Sequence, residues 1–170
     1  MTMEPQLIMD QVFKCPVCKK DTFQAKDYLY ETPTGKLILS YWECTDCHYL
    51  YRDVKPYETG IPVELSLLVT SEEDLSSLVY RSAFAELHIP ELGVEVIPGS
   101  SYQGAVSTVR GLLEIIMDNM GSLCKKKKCD KIREAMDGKI QFTLIIRDSS
   151  GTSFIKNDKV KVTRPLYPSQ

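Results

Sequence analysis

The residues of this sequence best suited to chemistry are two cysteine pairs, Cys15-Pro16-Val17-Cys18 and Cys44-Thr45-Asp46-Cys47. Two residues between thiolates let both sulfurs of a pair reach one ion at about 2.3 Å. Two such pairs brought together give tetrahedral four-cysteine coordination, which is closed and leaves no position for water or substrate. The expected ligand is one structural Zn2+ on Cys15, Cys18, Cys44 and Cys47, contributing folding energy and no catalysis. Two disulfides, four unrelated thiols, or iron on the same four thiolates are the alternatives; zinc is favoured over iron because nothing else in the chain points to electron transfer. The remaining cysteines, Cys124 and Cys129, flank a run of four lysines and have no second pair beside them. They read as two thiols at a loop tip, and Lys125 to Lys128 as a solvated loop.

Other reactive side chains are sparse. The chain has two histidines, His48 and His88, and neither belongs to a His-x-His or His-Glu-x-x-His array. His88-Ile89-Pro90-Glu91 could suggest a catalytic or metal-binding pair, but Pro90 breaks the local geometry and two ligands do not make a site. No glycine-rich phosphate loop and no Ser/His/Asp arrangement stands out, so the expectation is that the protein is not an enzyme. Tyr28, Tyr30, Tyr41, Trp42, Tyr49 and Tyr51 lie around the cysteines. Such aromatics can stack on unpaired bases, but they equally cover a small metal-centred core and anchor a protein partner.

Charge separates these uses. The 170 residues carry 21 Lys and Arg against 23 Asp and Glu, a formal charge of -2. Phosphate attraction dominates nucleic-acid binding, and a balanced chain has little of it. A zinc-ribbon nucleic-acid binder acting in transcription or RNA metabolism is therefore the second reading, behind a protein-interaction module. A hydrophobic fraction of 43% and a charged fraction of 26% are those of a globular domain. No apolar run approaches the roughly 20 residues that span a bilayer. Met1 to Gln11 lacks the basic-then-apolar order of a signal peptide. The expected location is cytoplasmic, where cysteines serve as metal ligands or free thiols more often than as disulfides.

The elements that must position the cysteines follow from patterning. Thr22 to Tyr30 is rich in β-formers, Glu31 to Gly35 supplies turn chemistry, and Lys36 to Glu43 returns as a second strand. Two strands alone are marginal in water, so the metal must staple them. This ribbon is assigned to residues 1–55. Lys55-Pro56-Tyr57-Glu58-Thr59-Gly60-Ile61-Pro62 reads as a hinge, and residues 56–170 as a β-rich domain. Its strands are expected at Val63–Val69, Leu78–Arg81, Ala85–Ile89, Val94–Ile97, Phe142–Ile146 and Lys159–Thr163. A turn is expected at Asp148 to Gly151, and Pro165 and Pro168 mark a frayed tail. Val109, Leu112, Leu113, Ile116, Met120 and Leu123 recur at helical spacing with Ser107 as N-cap, and Lys131 to Asp137 form a second helix ended by Gly138. A helical hairpin at about 105–138 is thus inserted among strands.

Three separated segments then match a known family. Ser82 to Pro98, containing Ile89-Pro90-Glu91-Leu92-Gly93-Val94-Glu95, resembles the signature of the ZPR zinc-finger family, whose members bind receptor tyrosine-kinase tails. Gly104 to Leu113 looks like that family's Thr-Thr-Val-Glu-Gly-Leu segment. Phe142 to Asp148, with Ser150-Gly151 and Ser153-Phe154, is similar to its closing strands. The resemblance spans roughly Cys15 to Phe154. It implies a mainly β chain with a small α part: a four-cysteine zinc ribbon, then a jelly-roll-like double-stranded β-helix with a helical hairpin. A single copy of the module resembles the shorter archaeal form. The implied partner is elongation factor one-alpha, and the implied role is assistance in its folding. Two residues depart from the family pattern. His48 stands where glycine is usual and the knuckle turns with positive φ. Arg110 stands where the family has glutamate, which would complete a capping box with Ser107; arginine cannot return that bond and opposes the positive end of the helix.

Overall fold

The computed structural model describes residues 4–32, 35–57, 61–99, 104–121, 124 and 127–164. Contacts divide the chain into two units, Met1–Thr59 and Gly60–Gln170.

The first unit is a single antiparallel sheet of four strands in sequential order, β1 (Gln6–Phe13), β2 (Phe23–Thr32), β3 (Gly35–Cys44) and β4 (Leu50–Pro56). Sequence patterning shows only the middle two. β1 is exposed at nearly every position, so it lacks the apolar alternation of a half-buried strand. The expected hinge residues Lys55 and Pro56 instead end β4, paired with Ile38 and Leu37. A terminal Pro costs no ladder bond on an edge strand. Of the expected turn, Pro33 and Thr34 lie outside the described residues, as do Glu58 to Gly60 of the hinge.

The core of this sheet is aromatic and sits at the cysteine end. Phe23, Ala25, Trp42 and Tyr51 are fully buried on one face together with Cys15 and Cys44. Trp42 is the hub: Phe13 stacks on it at 6.0 Å, while Phe23 and Tyr51 meet it edge-on at 6.1 and 5.4 Å. Such pairs stabilise by about 0.5–1.5 kcal/mol beyond their buried area. Tyr49 tilts against Phe23. Tyr41 points to the other face and is 44% exposed.

The second unit holds two antiparallel sheets. Five strands run in the order β12 (Lys161–Thr163), β5 (Val63–Val69), β10 (Phe142–Asp148), β7 (Ala85–Ile89), β8 (Val94–Val96). Three run β11 (Phe154–Ile155), β6 (Leu78–Arg81), β9 (Ala105–Thr108). β5 and β10 bury alternate residues, so Val63, Leu65, Leu67 and Val69 face inward beside Phe142, Leu144 and Ile146. A short α1 (Glu72–Leu75), unexpected from the sequence, is capped by Ser71, whose hydroxyl accepts from the Asp74 amide. Against this core lie α2 (Val109–Met120), through Val109, Leu112, Leu113 and Ile116, and α3 (Lys127–Met136), through Ile132 and Ala135.

The helical hairpin corrects four expectations. Thr108, not Ser107, is the N-cap of α2: its Oγ1 accepts from the Gly111 amide at 3.0 Å, while Ser107 pairs with Val79 in β9. Arg110 is therefore at N2, one position nearer the cap than expected, and does not oppose the dipole alone. Its Nε donates to the Met136 carbonyl at the end of α3 at 3.0 Å, and Nη2 pairs with Glu72. Cys124 and Cys129 are not free thiols but a disulfide, because the turn between α2 and α3 brings their Cα atoms to 5.1 Å. Finally, α3 begins at Lys127, so the basic run is partly helical and not all loop; Lys125, Lys126 and the expected Leu123 contact lie outside the described residues.

The segment Ile89 to Val94 has a structural explanation. Pro90–Leu92 is one 3-10 turn, closed by Gly93 at φ 64°, and Ile89, Leu92 and Val94 are buried. The Glu91 carboxylate accepts from the Thr143 amide at 3.0 Å and hydroxyl at 2.9 Å, pinning the turn to β10. His88 pairs with Glu86 at 3.1 Å, so the suggested His88–Glu91 pair does not form. No helix among the described residues is long and apolar enough to cross a membrane.

Candidate metal centre

Each cysteine pair forms the same turn. The Lys19 amide donates to the Cys15 carbonyl at 2.9 Å, and the His48 amide to the Cys44 carbonyl at 3.0 Å. The Cys15 amide donates to the Lys20 carbonyl and the Cys44 amide to the Tyr49 carbonyl. Both turns close through a left-handed residue, Lys19 at φ 66° and His48 at φ 64°. The two knuckles are thus near-copies, each folded by its own backbone. Antiparallel pairing of β2 with β3, which sets Phe23 opposite Cys44, brings them together.

The four Sγ atoms lie within 4.8 Å of one another. Cys15 and Cys47 sulfurs are 3.6 Å apart, as are those of Cys18 and Cys44. A tetrahedron with metal–sulfur bonds of 2.3 Å has edges of about 3.8 Å, so this donor set fits a single zinc-sized ion. Amide groups support the sulfurs: Val17 donates to Cys15 Sγ at 3.4 Å, and Asp46 and Cys47 donate to Cys44 Sγ at 3.4 and 3.3 Å. The Thr22 hydroxyl lies 3.1 Å from Cys44 Sγ. Outer donors of this kind orient ligands and stabilise thiolate.

The thiols are prepared unequally. Burial pushes Cys15 up to about 12, only partly offset by the amides of Cys18 and Val17. At Cys44 burial also acts upward, but the Thr22 hydroxyl and the Cys47 and Asp46 amides outweigh it and bring the thiol down to about 6. Metal loading therefore displaces protons, and the affinity falls in acid. His48 does not join the cluster. Its ring is 75% exposed and turned toward Glu43, 4.0 Å away.

Comparison with known proteins agrees with both halves of this architecture. Residues 73–167 match the ZPR1 jelly-roll domain. An uncharacterised ZPR1-like protein of Methanocaldococcus jannaschii is 35% identical over 89% of this chain and 83% of its own length. The chain belongs to the ZPR1 family. A ZPR1-like protein of Pyrococcus horikoshii is 29% identical over 94% of this chain and 79% of its own. The zinc finger chaperone zpr1 of Schizosaccharomyces pombe is 29% identical over 84% of this chain, which covers 35% of that longer protein. The ZPR1 assignment makes this a zinc-finger protein, and zinc the metal that its four cysteines are positioned to bind.

Proposed function

We propose that this ZPR1 protein is a non-enzymatic, cytoplasmic protein-interaction module that holds one structural Zn2+, binds elongation factor one-alpha and assists its folding. One observation carries the interaction reading. The face of the ribbon sheet opposite its aromatic core exposes Leu7, Val12, Tyr41, Leu50 and Val54, by 37% to 61%. Among the described residues the charges on that face are Asp10, Lys26, Glu43 and Arg52, which balance. An apolar patch rimmed by balanced charge suits a protein partner and provides no field for phosphates.

The metal's part is mechanical. With four protein ligands it has no open coordination position, so it can supply rigidity but no Lewis-acid chemistry. The name of the fission-yeast relative, a zinc finger chaperone, supports the folding role. The specific partner rests on family resemblance. The test is deletion of the gene, followed by the soluble fraction of newly made elongation factor one-alpha. The expected outcome is a fall in soluble factor, restored by the wild-type chain and not by Cys44→Ser. An unchanged soluble fraction would contradict the chaperone role.

A further inference from the structure

Asp27, Ser40 and Asp53 stand in one row across β2, β3 and β4, on the same face as the aromatic core. With strands about 4.8 Å apart, the two aspartate Cα atoms are separated by about 9–10 Å, with Ser40 between them. Both carboxylates are held in place by the core. The Trp42 indole Nε1–H donates to Asp27 Oδ1 at 2.8 Å, and the Tyr51 hydroxyl to Asp53 Oδ2 at 3.0 Å. The Val54 amide donates to Asp53 Oδ1 at 2.9 Å. Among the residues whose side chains are described, no Lys, Arg or His forms an ion pair with either aspartate. Ser40 is 4% exposed, and its Oγ has no hydrogen-bond partner there.

Two fixed carboxylates flanking an unsatisfied buried hydroxyl form an arrangement that, among the described side chains, lacks a cation. Calcium takes six to eight oxygen ligands, more than this row supplies. A guanidinium presents five donors in one plane and can reach both acids together, whereas an ammonium is a compact point charge. We propose that the Asp27–Ser40–Asp53 row is a recognition site for an arginine side chain of a protein partner. The bound guanidinium offsets one of the two negative charges and bridges the carboxylates over Ser40, whose hydroxyl then donates a hydrogen bond to either of them. Use of the row by a partner rests on the interaction reading above; the chemistry of the row does not.

Trp42 is the only tryptophan in the chain, so its indole N–H, bonded to Asp27, gives one resonance that reports on the row. The experiment titrates N-acetyl-argininamide into the 15N-labelled, zinc-loaded full chain, with N-acetyl-lysinamide, calcium chloride and matched sodium chloride as comparisons. The expected result is a saturable shift of that resonance with the arginine compound, about five-fold tighter than with lysine, the upper range for one exposed ion pair. Asp53→Asn should weaken it about as much with the rest of the spectrum unchanged. Ser40→Ala reads the same row if Asp53→Asn disturbs the fold, and should also weaken binding. An unsaturated shift, an equal response to lysine or salt, saturation by calcium, or wild-type affinity in the folded variants would overturn the proposal. Arginine binding without elongation-factor binding would leave the row standing and remove the proposed function; the reverse result would do the opposite.

Discussion

At the residue scale, the departures from the family pattern have local solutions. Lys19 and His48 both adopt the left-handed conformation that closes a knuckle, so glycine is not required at either position; histidine is among the side chains that tolerate it. Arg110 has exchanged one helix-end interaction for another. Its guanidinium donates to the last turn of α3 and pairs with Glu72 at the start of α1. Restoring the family's glutamate as Arg110→Glu would gain about 0.3–1 kcal/mol from the α2 dipole. It would lose a charged hydrogen bond of about 1.5–3 kcal/mol, and place like charges together. The expected net loss is about 1 kcal/mol, read as a lower denaturant midpoint with unchanged slope. An equal or higher midpoint would show that the Met136 and Glu72 contacts do not stabilise the hairpin.

At the element scale, the ribbon is expected to depend on its metal and the second unit is not. The apolar cluster running from Val63 to Ile155 contains no ribbon residue. The ribbon's own core is a few aromatics next to Cys15 and Cys44, too small to hold four strands without a staple. Chelating the zinc should therefore change Trp42 fluorescence while the helical signal of α2 and α3 persists. Loss of both signals in one transition would contradict this division. The sequence made the knuckles legible because thiolate spacing is set by the metal, a local constraint. It made β5, β7 and β10 legible because each buries alternate residues. β1 and β4 were hidden because edge strands need no apolar periodicity. The N-cap moved from Ser107 to Thr108 because two adjacent hydroxyls compete and β6 pairing claims Ser107. The Cys124–Cys129 disulfide was missed because the compartment argument favoured thiols, while the close approach of the helix ends is a tertiary fact. The Asp27–Ser40–Asp53 row has no sequence signature, since cross-strand register alone aligns it.

At the scale of the whole molecule, pH acts on both units in the same direction. Burial pushes the Asp74 carboxyl up, but Lys159, the Thr70 amide and Asn157 outweigh it and hold it well below the usual carboxylate range. At Asp148 burial again acts upward, and the Ser153 and Ser150 donors outweigh it. A depressed folded value means stability present above the unfolded value near 4 and lost as pH falls through the folded one. Thiolate ligands also reprotonate in acid and release their metal. The second unit should thus lose stability below about pH 4, with Asp74 contributing about 2 kcal/mol, and Asp74→Asn should flatten that dependence. A variant with the wild-type acid profile would assign the acid lability elsewhere. Function is the remaining whole-molecule claim: a metal-stapled ribbon that presents a partner-binding face. Its most direct test is calorimetric titration of zinc-loaded protein into GDP-bound elongation factor one-alpha, repeated after chelation. The account expects micromolar or tighter binding that disappears with the metal. Absence of heat with the zinc-loaded protein, or equal binding after the ribbon has lost its zinc, would contradict it.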